Sequence, residues 1–269
     1  MTAQPFVALI TGASSGIGEA TARRLAREPG TALVLLARRR ERLEALAKEL
    51  GGATVLALDV TDPGTPARVR EALEREHAGR LHLLVNNAGA AWRGGFAETG
   101  CENLERHMKL NFQAPARLIE ELLALLRATA AGAPDRRVSI VNVASTAGRV
   151  ARPRSGAYSA SKFALAGWSD ALQAEEAAHG VHVGLVLPGF VATEGFPATE
   201  LRARALTRWM VSKPELVAEA IFQAGPGGKA ERYVPRGYWL AAASRILAPA
   251  LVRRLVAGGR FTTASGAAD

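Results

Sequence analysis

The amino-acid sequence predicts an α/β fold: a doubly wound parallel sheet in a single domain, followed by a helical extension at the carboxyl end. Three observations predict it. Short apolar runs of strand length alternate with stretches of helical periodicity, a glycine-rich turn joins the first strand to the first helix, and 269 residues that are 48% hydrophobic suffice for one large core. Such alternation builds parallel strands through right-handed crossovers, with helices on both faces and ligands at the carboxyl ends of the strands.

Phe6-Val7-Ala8-Leu9-Ile10 has the length and unbroken apolarity of a buried strand. It runs into Thr11-Gly12-Ala13-Ser14-Ser15-Gly16-Ile17-Gly18, and a helix follows from Glu19 to Arg27, with Ala20, Ala22, Leu25 and Ala26 among charges. Glycines on a strand-to-helix turn leave backbone N–H groups aimed at whatever docks there, a geometry that binds a pyrophosphate. Gly12 allows the turn, Gly16 the close approach of a dinucleotide and Gly18 tight packing of helix on strand. The expected sheet is therefore Rossmann-like. The second strand, Ala32 to Ala37, ends in Arg38-Arg39-Arg40, where this fold places the ribose of an adenine nucleotide. An acid there would bind both ribose hydroxyls. Ala37 followed by Arg38 leaves nothing to repel a 2′-phosphate and provides a guanidinium to clamp it, which favours NADP(H) over NAD(H). Arg40 and Arg42 read as the solvated start of a helix carrying Leu43, Leu46, Ala47 and Leu50 on one face.

Val55 to Val60 and Leu81 to Gly89 are the third and fourth expected strands, separated by a helix from Pro66 to Ala78. Arg137 to Val143 and Val181 to Leu187 bring the strands to six, with later helices at 102–129, 157–178 and 213–224; Ala128 to Asp135 reads as a lengthened loop. Tyr158 and Lys162 stand four residues apart on the helix at 157–178 and share one of its faces. A neighbouring cation favours a phenolate, so such a pair can hand a proton to a carbonyl oxygen, or take one from an alcohol, near neutral pH. Taken alone, the pair reads more readily as a half-buried ring beside a solvated lysine.

Thr11 to Gly18, Asp59, Asn86-Asn87-Ala88-Gly89, Asn111, Ser145, Tyr158, Lys162 and Pro188-Gly189 together resemble the motif set of single-domain short-chain dehydrogenases/reductases over about residues 5–225. The resemblance implies an oxidoreductase interconverting a carbonyl and an alcohol, with a site made of Asn111, Ser145, Tyr158 and Lys162. Tyr158 would be the acid–base group, Lys162 would lower its pKa and hold the nicotinamide ribose, and Ser145 would donate to the substrate oxygen. Asn111 would anchor a water linking Lys162 to solvent. Implied cofactor contacts are Gly12, Ser14, Ser15, Gly16, Ile17, Gly18, Arg38, Asp59, Val60, Asn87, Ala88, Gly89, Tyr158, Lys162, Pro188, Gly189, Val191 and Thr193. Asp59 fits either a turn cap or a group near the adenine amine; Asn86 steadies the sheet and lies along the cofactor, and Thr193 fits a contact to phosphate or amide. Some NADP-preferring members carry a basic residue where this chain has Ser15, which leaves the choice of cofactor to Arg38. Two other readings are a non-catalytic dinucleotide-binding sensor or scaffold of the same fold, against which the full set of four residues argues, and a membrane-associated lipid-ketone reductase.

The rest of the sequence bounds the setting. The single cysteine, Cys101, excludes internal disulfides and fits a cytoplasmic location, and Met1 to Pro5 leads into the first strand with no room for a signal peptide. The five histidines show no metal-ligand spacing, and His107, His179 and His182 read as surface or edge residues. The net charge of +9 is concentrated in residues 201–269, which hold 11 Lys/Arg against 4 Asp/Glu. No base-reading element accompanies it, so nucleic acid is not an expected partner. We expect residues 1–230 to form the catalytic domain, with a substrate loop at about 189–213 containing Phe196, Leu201, Leu206, Trp209 and Met210, and Trp92 on the opposite wall. These apolar residues suit a hydrophobic carbonyl substrate, or equally core and subunit contacts. Residues 231–269 are the basic amphipathic extension, in which Leu247, Leu251 and Leu255 recur beside arginines. Packing on the core or a neighbouring subunit is favoured there over an anionic membrane face. The family resemblance and the small residues Ala164, Gly167 and Ala171 suggest a homodimer or homotetramer.

Overall fold

The computed structural model describes residues 4–133, 135–194 and 211–257. Its strands are β1 (Phe6–Thr11), β2 (Thr31–Ala37), β3 (Thr54–Ala57), β4 (Leu83–Asn86), β5 (Val138–Val143), β6 (Val181–Pro188), β7 (Phe190–Val191), β8 (Val211–Ser212) and β9 (Glu231–Val234). Its helices are α1 (Gly16–Leu25), α2 (Arg40–Glu49), α3 (Thr65–His77), α4 (Phe96–Met108), α5 (Ala114–Gly132), α6 (Gly156–Glu176), α7 (Pro214–Ala224), α8 (Tyr238–Leu247) and α9 (Pro249–Ala257).

Seven strands form one parallel sheet in the order β3-β2-β1-β4-β5-β6-β9. Side-chain alternation along β1 shows why both faces are covered. Ala8 and Ile10 enter a cluster with Leu25 of α1, Leu43 and Leu46 of α2, and Val217 and Ile221 of α7. Val7 and Leu9 point the other way, into a cluster with Val69 and Leu73 of α3 and Leu118 and Leu122 of α5. Each fully buried Leu or Ile contributes about 1.5–3 kcal/mol relative to exposure, so an uninterrupted apolar strand is favoured only between two helix layers. The strand order reverses between β1 and β4, and the crevice at the carboxyl ends of these two strands is where such sheets bind ligands.

The expected six strands are seven. Glu231–Val234 pairs in parallel with Leu185–Pro188 of β6, inside the stretch read as extension. It was missed because it is short, begins Glu-Arg, and lies at an edge, where polar residues are common and the apolar-run signal is weak. Ala128 to Gly132 is not loop: α5 runs to Gly132, as the helix propensity of its alanines permits. A π-helical turn, Lys109–Gln113, joins α4 to α5 and contains Asn111. The two-residue strands β7 and β8 pair in parallel. Phe196, Leu201, Leu206, Trp209 and Met210 of the expected substrate loop, and the end of the extension beyond residue 257, lie outside the described residues.

Candidate active site

At the end of β1, the Thr11 hydroxyl accepts hydrogen bonds from the backbone N–H groups of Asn87 (2.9 Å) and Ala88 (3.0 Å), and the Asn87 amide donates to the Thr11 carbonyl at 2.9 Å. The glycine loop and the Asn-Asn-Ala-Gly turn are thus one unit at the switch point. Gly16 adopts φ 56°, and a Cβ built on it would lie 3.0 Å from the Thr193 methyl group. Gly18 sits where a Cβ would overlap the Gly12 carbonyl, so helix and strand meet with no side chain between them. The first N–H groups of α1 have no intrahelical partner, and the cradle of Gly12, Gly16 and Gly18 above them fits a diphosphate.

The second group of residues is brought in by β5 and α6. The Asn111 amide donates to the Ala90 carbonyl and the Ser161 hydroxyl, both at 3.0 Å, while its oxygen accepts from Ala90 N–H at 3.1 Å. Ser161 in turn donates to the Tyr158 carbonyl at 2.8 Å, which ties the π-helical turn to the first turn of α6. Lys162 is 4% exposed, and its ammonium donates to the Val143 carbonyl at 2.8 Å. Burial pushes its pKa down to about 8. A Cβ on Gly89 would stand 2.9 Å from Asn111 Oδ1 and 3.4 Å from Lys162 Nζ, so the turn passes close to both.

Tyr158 is half-buried. Burial raises its pKa; a hydrogen bond with the Ser145 side chain and the positive charges of Arg152 and Arg93 oppose that rise. The Ser145 hydroxyl also faces the Pro188 carbonyl at 3.4 Å and accepts from Ala147 N–H at 3.1 Å. The expectation that Lys162 depresses the phenol does not describe this arrangement: the ammonium is directed to the β5 backbone, and the groups that draw Tyr158 down are Ser145 and the two arginines.

A sequence profile described as short chain dehydrogenase matches residues 6–202. The chain belongs to the short-chain dehydrogenase family. Members of this family are NAD(P)-dependent oxidoreductases. The chain is 38% identical over 218 residues to the granaticin polyketide synthase putative ketoacyl reductase 1 of Streptomyces violaceoruber, covering 80% of this chain and 77% of that one. It is 36% identical over 203 residues to oxidoreductase UcpA of Escherichia coli (strain K12), covering 73% and 72%. Similarity to dehydrogenase/reductase SDR family member 7B of Bos taurus is 32% over 198 residues, 70% of this chain but only 58% of the bovine protein. A short-chain dehydrogenase from Streptomyces avermitilis, known from its crystal structure, superposes with TM-score 0.77 at 28% identity, covering 97% of this chain and all of that one.

Within this short-chain dehydrogenase the predicted residues fall into two sets. Gly12, Ser14, Ser15, Gly16, Ile17, Gly18, Asn87, Ala88, Gly89 and Thr193 surround the β1–β4 crevice, and Ser145, Tyr158, Lys162, Asn111, Pro188 and Gly189 gather between β5, α6 and β6. Val191 is buried in β7. Asp59 and Val60 follow β3; the Asp59 carboxylate accepts from Thr61 N–H and hydroxyl, both at 2.8 Å, and so caps its own turn. Burial works against the Asp59 charge, but these bonds and the nearby Arg38 leave its pKa below the ordinary value. Arg38 is 80% exposed, with a guanidinium nitrogen 4.0 Å from Asp59.

Sequence reasoning missed two neighbours. Arg39 lies over the glycine loop, donating to the Ser14 hydroxyl at 3.1 Å and the Ser15 hydroxyl at 2.6 Å. Glu194 accepts from Arg39 at 3.1 Å and from Arg42 at 2.7 Å, so Arg42 has a partner as well as solvent. The run of three arginines was the signal for Arg39; which of them turns back over the loop depends on how the chain enters α2. The other neighbour is His107, expected at the surface and found fully buried. Its Nδ1 pairs with the Asn103 carbonyl at 2.7 Å and its Nε2 accepts from Trp92 N–H at 3.0 Å, an arrangement that requires the neutral Nδ1–H tautomer. Its ring meets Trp92 edge-on at 4.9 Å and Tyr158 at 6.0 Å. The expected wall residue, Trp92, is therefore one ring removed from Tyr158.

Proposed function

We propose that this chain is an NADP(H)-dependent oxidoreductase that interconverts a carbonyl and an alcohol, with Tyr158 as general acid and base. The observation that carries the reading is the half-buried Tyr158 hydroxyl, hydrogen-bonded with Ser145 and one helical turn from a buried Lys162, beside a glycine cradle at the sheet's switch point. The bound nicotinamide would supply or accept the hydride at the carbonyl carbon. Gly12, Gly16, Gly18 and the Asn87–Gly89 turn would hold the diphosphate and the adjoining ribose, with Lys162 next to that ribose. Ser145 donates to the substrate oxygen and polarises it, as in other oxyanion-binding sites. Tyr158 donates its proton to the same oxygen as negative charge develops there, and takes it back in the oxidative direction. Lys162, with its pKa near 8, resupplies that proton; Asn111 holds the π-helical turn against Ser161 and would place a water between the lysine and solvent.

Arg38, exposed beside Asp59 just after β2, and Arg39, bonded to the Ser14 and Ser15 hydroxyls of the glycine loop, support NADP(H), and no acid stands at Ala37. The exposed Phe163 and Gly167 on α6 support a homodimer or homotetramer packed through that helix. A relative described as a putative ketoacyl reductase supports an apolar or acyl carbonyl substrate. The test is a titration of NADPH and NADH followed by a carbonyl panel on wild type and Tyr158→Phe. Loss of general acid catalysis should lower turnover at least about 100-fold; unchanged turnover refutes the mechanism, and equal affinity for both cofactors refutes the assignment of NADP(H).

A further inference from the structure

The helices at the carboxyl end leave most of their large apolar side chains exposed. Trp239 is 54% exposed, Leu240 58%, Ile246 80%, Leu247 83%, Leu251 58% and Leu255 52%, while Ala242 and Val252 are the buried residues of α8 and α9. Six exposed large apolar side chains within residues 239–255, gathered on two successive helices, mark an interaction surface. Charge narrows the partner. Arg245, Arg253 and Arg254 lie on the same two helices, and residues 232–268 contain no acidic residue at all. A second copy of this chain seated on the surface would double the arginines without supplying a counter-charge, which disfavours self-pairing. A surface that is both apolar and anionic answers both features.

We propose that α8 and α9 form a docking element for an anionic lipid bilayer. The two helices are too short to span a bilayer, and among the described residues no helix is long and apolar enough to do so. They lie in the interface, with leucines and Ile246 in the acyl boundary, Trp239 at the headgroup level and the arginine stems reaching out to lipid phosphates. The element is anchored to the catalytic wall. Tyr238, the first residue of α8, packs so closely on Gly189 that a Cβ there would lie 2.5 Å from its ring, and Gly189 follows Pro188, whose carbonyl faces Ser145. Docking would hold the candidate active site beside the membrane surface, where apolar carbonyl compounds concentrate.

Vesicle flotation of the full chain tests this, using phosphatidylcholine with and without phosphatidylglycerol at low and physiological ionic strength. The chain is expected to float with the anionic vesicles, to stay behind with phosphatidylcholine alone, and to bind less as salt rises. Arg253→Gln with Arg254→Gln should weaken binding about thirtyfold, at about 1 kcal/mol for each basic residue near the surface. Leu247→Glu with Leu251→Glu should abolish it, with turnover of a water-soluble carbonyl unchanged in both variants. Should the leucine pair fail to fold, the arginine pair and the salt series carry the test. Absence of flotation with anionic vesicles at low salt overturns the proposal. So does a leucine variant that turns a dimer into a monomer in sedimentation yet still binds vesicles, because a second copy then covers this face. Neither outcome touches the oxidoreductase reading, which the turnover assay measures separately.

Discussion

Gly18→Ala is the substitution that most directly tests how the glycine loop is built. The new methyl group would overlap the Gly12 carbonyl and stand 2.7 Å from Asn87 Nδ2, the amide that holds the loop to the neighbouring turn. Neither the backbone carbonyl nor an amide fixed by its own hydrogen bond has a rotamer to retreat into. Overpacking of this kind costs up to about 3 kcal/mol, and alanine in place of glycine within a helix returns about 1 kcal/mol. The net loss is about 2 kcal/mol, or roughly 4–8 °C in melting temperature for a domain of this size. Because what must shift is the loop itself, dinucleotide affinity should fall about tenfold or more, the equivalent of 1.4 kcal/mol. Thermal melts and fluorescence titration with NADPH measure the two effects. Gly132→Ala, at the end of α5 where an added Cβ meets nothing within 4 Å, is the matched control and should stay within about 0.5 kcal/mol of wild type. A Gly18→Ala protein as stable and as tight-binding as that control would refute the argument that close packing of helix on strand shapes the cradle.

Arg38→Ala and Arg39→Ala should each weaken NADPH about tenfold or more while leaving NADH within about threefold, since a charge-assisted hydrogen bond to phosphate is worth about 1.5–3 kcal/mol; parallel titrations decide, and equal losses for both cofactors contradict the assignment. His82 is 2% exposed and accepts from Val7 N–H at 3.1 Å, and burial lowers its pKa from 6.5 to about 4. A histidine held neutral on folding gives stability that is complete above the unfolded value and disappears as pH falls from about 6.5 towards 4, by about 2 to 3 kcal/mol. Urea midpoints across that range should fall more steeply for wild type than for His82→Gln, and identical slopes would remove His82 from the account. The Arg127 guanidinium pairs with both oxygens of Glu176, at 2.8 and 2.7 Å, and the Glu176 side chain is 2% exposed. Arg127→Ala should cost about 2 kcal/mol by leaving that carboxylate buried and unpaired, less than for a fully buried pair because Arg127 is itself 39% exposed. Adding Glu176→Gln should recover part of the loss, and a double variant no better than the single one argues against the pairing.

The central strands were legible because burial on two faces demands largely apolar runs: β1 and β2 are apolar but for one terminal threonine each, and β5 and β6 are interrupted only by Ser139, Asn142 and His182. β9 was not, since Glu-Arg-Tyr-Val meets only one neighbouring strand. In the site, the four-residue interval between Tyr158 and Lys162 fixed their common helix face, but not where the ammonium points: its partner, Val143, lies on β5. A local pattern cannot show that Lys162 donates to the Val143 carbonyl or that burial raises the phenol's pKa. His107 was misread for a related reason. Nothing in its own helix distinguishes a solvated histidine from one enclosed by Trp92 and Tyr158, because both rings arrive from other segments. Arg38 and Arg39 differ by one position in a run of like residues, and only the path of the chain into α2 separates an exposed arginine from one lying on the serines of the glycine loop.

The pairing of β9 with β6 bears on how the chain can be handled in the laboratory. A chain cut after residue 230 would retain Asn111, Ser145, Tyr158 and Lys162 and would look complete by its motifs. It would also strip the ladder from Leu185–Pro188 and the bond from Gly189 N–H to the Val234 carbonyl at 2.8 Å. That leaves a buried apolar strand as a raw sheet edge, the template on which chains aggregate. Trimming the carboxyl end to improve solubility would therefore do the opposite unless the cut falls beyond Val234.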